Sequence, residues 1–327
     1  MGLKPKVQCE LCPKGCIIEP GQSGECRVRI NIDGVLRTVA YGFACSIHID
    51  PVEKKPLFHF LPGSGTLSLA TVGCNLHCKN CQNWEISQAN PEESQAIFQP
   101  PERLVELAKY YRCPSLAYTY TDPIVFYEYT YDTAELARGK GIRNLLVTAG
   151  YINQEPWKRL LKYVDAARID LKSVSDDFYR EVCSGTLKPV QDALVLTRAG
   201  GVHLEVINLV IPMLNDTPEQ IRELSRWVRA NLGSEIPLHF SRFFPQYKMQ
   251  HLPPTSEKTL DMARDIAMEE GLDFVYIGNV QSERGQNTYC PNCKNLLIER
   301  SGYTILQNQL KDGRCPNCSK EIYGVWK

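Results

Sequence analysis

The feature that most constrains this chain is an alternation. Between residues 63 and 285, short β-rich runs recur with helical patterns between them. The runs read "TLSLATV", "SLAYTY", "RNLLVTA", "ARIDLK", "LEVINLVI", "LHFSRFF" and "FVYIG". "PPERLVELAKYYR" has Pro before its first turn and Leu104, Leu107, Ala108 and Tyr111 at helical spacing. "YDTAELARGKG" and "TPEQIRELSRWVRANLG" both run into Gly, the usual helix stop. Strands joined through helices need crossovers, and crossovers give a parallel sheet. No G-x-G-x-x-G follows a strand, and no Walker A motif is present. The expected fold class is therefore α/β, a partial (β/α)6 TIM-like barrel. In such a barrel the ligand sits at the C-terminal ends of the strands.

Cysteine usage divides the rest of the chain. Eleven of the 14 cysteines fall in three tight groups, while Cys45, Cys113 and Cys183 stand alone and read as small buried apolar residues. The first group lies in an N-terminal Cys-rich metal-binding segment, 1–62, which ends in the turn signal "LPGSG". The barrel spans 63–285, and a four-Cys ribbon spans 286–327. No apolar run reaches the roughly 18 residues of a membrane span. The start "MGLKPK" lacks the apolar core of a signal peptide, so the expected compartment is the cytoplasm. Reducing conditions there keep thiols free, and clustered thiolates bind zinc and iron. The 37 basic and 37 acidic side chains cancel, so no overall charge points to nucleic acid or a membrane surface.

The middle group is "TVGCNLHCKNCQNW", with Cys74, Cys78 and Cys81 spaced C-x3-C-x2-C on the loop after the first barrel strand. Structural zinc wants a closed set of four ligands. Iron–sulfur cubes are also held by cysteine thiolates, normally four. Three thiolates leave one iron of a cube open for a substrate or cofactor. His77 could instead complete a zinc site, although its place beside Cys78 makes a good tetrahedron hard to close.

The C-x3-C-x2-C loop resembles the signature of the radical S-adenosylmethionine (SAM) enzymes. The stretches "DPVEKKPLFHFLPG", "AYTYTDP", "RIDLK", "LVIPMLND", "PLHFSRFFPQYKM" and "VYIGN" extend the likeness to the AmmeMemoRadiSam branch. That branch is similar to the pyruvate formate-lyase activating enzymes and is named for its association with AMMECR-type and Memo-type proteins. The resemblance implies a 4Fe–4S cluster on Cys74, Cys78 and Cys81, with SAM bound at its open iron. It also implies an electron donor such as flavodoxin or ferredoxin. Reductive cleavage of SAM would give a deoxyadenosyl radical that abstracts hydrogen from an unidentified substrate. That substrate could be a partner protein activated or modified by the enzyme.

Further residues are carried over one at a time. "TYTDP" lies where the activating enzymes have a Gly-Gly-Glu-Pro-like strand end, so Tyr120, Thr121 and Asp122 are expected at the SAM site. Thr148 opens "TAGY", where relatives carry Thr-Asn-Gly; Ala149 departs from that pattern. "DLK" matches an Asp-x-Lys that meets SAM, and alternation puts Asp170 and Lys172 on one face of their strand. His239, three residues before Arg242, is also expected to contact SAM, given a bend that turns both to the mouth. Asn80 stands where many relatives place an aromatic against the adenine, which leaves Trp84 as a candidate.

The flanking groups each offer four thiolates. Cys290, Cys293, Cys315 and Cys318 repeat "CPNC" and read as a zinc ribbon or a rubredoxin-like iron site. Cys9, Cys12, Cys16 and Cys26 could hold zinc or an auxiliary iron–sulfur cluster. Two rival functions remain. One is a metal-stapled binding or scaffold module without catalysis. The other is an RNA-modifying radical enzyme, which the charge balance disfavours.

Overall fold

The computed structural model describes residues 5–280 and 284–327. Met1–Lys4, part of the start read for a leader, lie outside these.

Seven parallel strands form the core of one sheet: β2 (Gly65–Ala70), β3 (Ser115–Tyr118), β4 (Arg143–Thr148), β5 (Ala166–Asp170), β6 (His203–Val210), β7 (Leu238–Arg242) and β8 (Val275–Gly278). Each neighbours the next in chain order, so every connection is a simple crossover. The crossovers carry helices α1 (Pro101–Tyr110), α2 (Tyr127–Gly139), α3 (Gln154–Leu161), α4 (Leu187–Ala199), α5 (Pro218–Leu232) and α6 (Glu257–Glu269). This is the expected six-fold β/α alternation followed by a seventh strand.

The helices start where their sequences cap them. Thr217 accepts from the Gln220 N–H while Gln220 Oε1 accepts from the Thr217 N–H, which satisfies two orphan donors of α5. Ser256 does the first half of this for α6. In α1 the residues Leu104, Val105 and Ala108 are buried against the sheet.

An eighth strand, β1 (Ser46–Pro51), pairs antiparallel with β2. The sequence reading leaves this stretch in the N-terminal segment. β1 and β8 are the two edges, and the sheet does not close between them. At the N-terminal ends of the strands this side is covered by residues 57–61 and the C-terminal tail. The Val325 N–H donates to the His59 carbonyl, and the Leu61 N–H donates to the Val325 carbonyl.

The C-terminal region adds three antiparallel strands, β9 (Thr288–Tyr289), β10 (Leu296–Ser301) and β11 (Thr304–Asn308). Leu297 and Ile298 of β10 pack with Phe58, Phe274 and Tyr276.

A buried polar network lies below the mouth of the barrel. Glu205, fully buried, accepts from the Phe58 N–H (3.1 Å), the His59 N–H (2.8 Å), His203 Nε2 (3.0 Å) and His239 Nε2 (2.7 Å). Burial opposes its charge, but the two histidines hold Glu205 well below the usual carboxylate range. Burial lowers His239, against the Glu205 carboxylate that its ring bonds. Arg300 reaches in from β10, donating to the Phe58 carbonyl and to Thr288 Oγ1. The C-terminal region is thus tied to the barrel through its polar interior as well as its apolar face.

Candidate functional site

The three-cysteine loop leaves β2 through Gly73, at φ +90°. A Cβ there would stand 2.5 Å from the Cys26 carbonyl oxygen, so only glycine fits. The loop is then pinned from the far side of the barrel. The His77 N–H donates to the Cys183 carbonyl and the Lys79 N–H to the Val182 carbonyl. Cys74, Cys78 and Cys81 all face one cavity of about 470 Å³ at the C-terminal ends of the strands, a size suited to a small-molecule site.

Each of these sulfurs has a polar neighbour. The Leu76 N–H points at Cys74 Sγ (3.5 Å), and Ser87 Oγ lies 3.2 Å from Cys81 Sγ. The Cys183 thiol beside Cys78 brings it down to about 7 against the pull of burial. Burial pushes Cys74 well up and raises Cys81. Cys183 is buried, as expected of an apolar filler. No spacing signal in the sequence links it to Cys78.

Every expected SAM residue except His239 lines the cavity. Tyr120 is at φ +64°, a strained conformation for an aromatic residue at a strand end. Its hydroxyl bonds Asp50, and Lys55 Nζ lies 4.4 Å above its ring. Thr121 donates its hydroxyl to the Thr71 carbonyl (2.7 Å). Asp122 accepts from Thr148 Oγ1 and from the Ala149 N–H. Burial raises Asp122 despite those bonds. Asp170 accepts from Lys172 Nζ (2.7 Å) and contacts Arg168. Lys172 is drawn down by burial, but the thiols of Cys78 and Cys183 more than offset this and hold it high.

His239 corrects the reading. No bend brings it to the mouth; its ring is 2% exposed and bonded to Glu205. Ser241, two residues along the same face, lines the cavity instead. Arg242 does not line it, and its guanidinium lies 5.0 Å from the Phe244 ring. His77 turns away, with Nδ1 2.8 Å from Gln88 Oε1 and Nε2 3.4 Å from Glu25. Trp84 stacks on Tyr247 at 5.2 Å and is not a lining residue.

Lys54, Lys55, Arg168 and Asn279 line the cavity without having been expected. Arg168 was legible, because it shares the period-two face of Asp170 and Lys172. The two lysines precede β2, and only the position of β1 brings them here. Lys54 and Lys55 bond the two oxygens of Asp50, at 2.8 and 2.6 Å. Those bonds and the Tyr120 hydroxyl keep Asp50 ionised against its burial. Four cationic and two acidic side chains therefore line the cavity, which favours a ligand carrying negative charge.

Spacing decides which inorganic group fits each thiol set. Zinc with 2.3 Å bonds holds its thiolates about 3.8 Å apart. A cube puts four irons between them and spreads them to roughly 6 Å. Among the described residues, Cys290, Cys293, Cys315 and Cys318 are the one group of three or more such ligands whose atoms all lie within 4.8 Å of one another. Cys290 and Cys318 are 3.5 Å apart, and Cys293 and Cys315 3.6 Å, which fits a single metal ion. The sulfurs of Cys74, Cys78 and Cys81 are more widely spread around their cavity, as a cube requires.

A parallel, unclosed α/β barrel with three thiols on its first strand loop and a polar cavity beside them defines a class of cluster-bearing barrel enzymes. The model of the Radical SAM superfamily matches residues 68–228, and the chain carries a domain of that superfamily there. Its members use a 4Fe–4S cluster and SAM, and the cavity residues fit both. The chain is 49% identical to an uncharacterized protein of Methanocaldococcus jannaschii over 319 residues, 97% of this chain and 95% of that one. It is 25% identical over 162 residues to the pyruvate formate-lyase-activating enzyme of Clostridium pasteurianum, covering 48% of this chain and 66% of that protein. A radical SAM methyltransferase from Sphaerobacter thermophilus shares the fold, with TM-score 0.52, 16% identity and coverage of 67% and 68% of the two chains. No helix of the described residues is long and apolar enough to cross a membrane.

Proposed function

We propose that this chain cleaves SAM reductively and abstracts a hydrogen atom from a partner protein, as a member of the AmmeMemoRadiSam branch. The observation that carries this is the trio of thiols facing a cavity whose other walls are charged and hydrogen-bonding. When bound, the cluster and SAM supply one electron and a 5′-deoxyadenosyl radical. The protein's own work is to orient and to exclude water. Asp122 and Thr148 fix the ends of β3 and β4 against each other, which presents the Tyr120–Thr121 backbone to the methionine end of SAM. Lys172, held by Asp170, offers a cation beside the thiols, and Arg168 offers a second one deeper in the barrel.

A macromolecular substrate is favoured by the loops after the strands. Exposed Met213 and Phe244 follow β6 and β7, and the exposed Trp84 packs on Tyr247. We infer that these groups, all on connections at the mouth end of the strands, contribute to a surface that a partner covers. AMMECR-type and Memo-type proteins are the candidate partners, on the sequence resemblance alone, with a flavodoxin or ferredoxin as the electron donor.

The test is anaerobic reconstitution followed by assay for 5′-deoxyadenosine, with and without each candidate partner. Cleavage should require iron and sulfide and should vanish in Cys78→Ala while the chain stays folded. A wild-type protein loaded at the trio that releases no deoxyadenosine under strong reductant would overturn the proposal and leave the scaffold reading.

A further inference from the structure

The N-terminal thiols are not used by the site above, and their arrangement differs from that of the C-terminal four. The short pairing of Val7–Gln8 with Ile17–Ile18 brings Cys9 and Cys16 together, with the Cys9 N–H donating to the Cys16 carbonyl at 2.9 Å. Cys12 lies in the turn between them, and Cys26 closes the set from the next loop. All four line one small cavity with a largely apolar wall. They do not form a set lying within 4.8 Å of one another. Their sulfurs are thus not drawn together as a single zinc ion would hold them.

Two unpartnered polar atoms belong to residues that line this space. Arg29 is 9% exposed and binds Glu128 with both terminal nitrogens (2.8 and 2.7 Å), yet its buried Nε has no partner. Asn75 is 2% exposed, and its Oδ1 has no partner. A cluster of four thiolates carries net negative charge and accepts hydrogen bonds at sulfur, which suits the Arg29 Nε–H.

The cavity backs onto the three-cysteine loop. Gly73 touches the Cys26 carbonyl oxygen, and Asn75 lines the same cavity as Cys12. Cys74 lies between those two residues. Chain geometry then limits Cys26 Sγ to about 16 Å from Cys74 Sγ, counting the Gly73–Cys26 approach, one residue step and the two cysteine side chains. Electrons pass readily between iron–sulfur centres at such separations.

We propose that Cys9, Cys12, Cys16 and Cys26 hold a second 4Fe–4S cube, which hands single electrons to the cube at Cys74, Cys78 and Cys81. Its four protein thiolates leave no open iron, so it transfers electrons and binds no substrate. A low-potential one-electron carrier of the flavodoxin or ferredoxin kind is oxidised by one electron as the second cube is reduced. The second cube is reoxidised as the first is reduced, and no bond or proton moves in either step. The relay rests on the SAM cleavage proposed above; the metal site does not.

The test uses the full chain reconstituted anaerobically with iron, sulfide and zinc all present. Wild type should carry about eight irons, about eight sulfides and about one zinc. The triple variant Cys74→Ala, Cys78→Ala, Cys81→Ala should keep about four irons and give a reduced-cube electron paramagnetic resonance signal. The double variant Cys9→Ala, Cys16→Ala should lose about four irons. It should still release deoxyadenosine with dithionite but slow at least tenfold with reduced flavodoxin. Wild type with about four irons and about two zincs would overturn the second cube, even if a variant fails to fold. Unchanged flavodoxin turnover in the double variant would overturn the relay while leaving SAM cleavage intact.

Discussion

Asp122 and Thr148, at the C-terminal ends of neighbouring strands β3 and β4, are joined by a 2.7 Å hydrogen bond in the wall of the cavity. The same carboxyl accepts from the Ala149 N–H at 2.8 Å, so its two oxygens are engaged by the last residue of β4 and the residue after it. Asp122→Ala strands these two donors, at a cost of about 1–3 kcal/mol in stability. The larger effect should fall on SAM, because the two strand ends then lose their mutual register. We expect SAM affinity to fall at least tenfold in equilibrium binding. Unaltered affinity would show that the pair is structural only.

The buried Cys183 thiol lies beside Cys78, one of the three thiols expected to hold the cluster. A hydrogen bond to a cluster sulfur stabilises the reduced, more negative state and raises the potential. Cys183→Ala should lower the potential of the trio's cube by on the order of tens of millivolts, with cluster content unchanged. Cys183→Ser, which keeps a donor, should restore most of it. A redox titration followed by electron paramagnetic resonance reads this directly.

Lys172 Nζ is held 2.7 Å from Asp170 Oδ2 and faces the thiols. Lys172→Met keeps the length of the side chain and removes the charge. Deoxyadenosine formation should fall about tenfold or more, equivalent to roughly 1.4 kcal/mol. Asp170→Asn should have a smaller effect, since Lys172 keeps its charge. The reverse order would mean that the carboxylate is the group in contact.

The His59 ring donates from Nδ1 to the Tyr323 carbonyl and accepts at Nε2 from the Tyr276 hydroxyl, each at 2.6 Å. Burial holds it down to about 3, so it is neutral in the fold. Between pH of about 6.5 and 3 the unfolded chain therefore binds more protons than the folded one, and stability falls as pH falls through that window. Glu205, also held low, adds to the loss below about pH 4.5, where its unfolded counterpart protonates. His59→Gln should be less stable than wild type at pH 8 but lose less between pH 6.5 and 4.5. Urea midpoints at three pH values would check the slopes, and parallel slopes would refute the assignment.

The sulfurs of Cys290, Cys293, Cys315 and Cys318 hold their tetrahedron in a region of small core, so metal should supply much of its local stability. Cys293→Ser, or a strong chelator, should release one equivalent of zinc and loosen the tail. Trp326, 5.2 Å from the His59 ring, should then shift its fluorescence to the red. Loss of zinc without a change at Trp326 would separate the metal from the docking.

The trio was readable because its three ligands lie within eight residues of one loop. Asp170 and Lys172 were readable because strand periodicity puts alternate side chains on one face. By the same rule Arg168 was available and overlooked. His239 was misread because facing inward says nothing about depth. Two residues of strand separate the cavity wall at Ser241 from the network around Glu205. Lys54 and Lys55 could not have been placed, since their position depends on β1 pairing beside β2.

By itself the sequence determined the parallel β/α order and three separate sets of clustered thiols, because both are written in local spacing. Only the tertiary structure decided how far apart the sulfurs of each set stand, and hence whether one ion or a cube fits between them. It alone also set the N-terminal thiols against the three-cysteine loop. Distances between segments far apart in the chain are fixed by packing of the whole core, which no local pattern encodes.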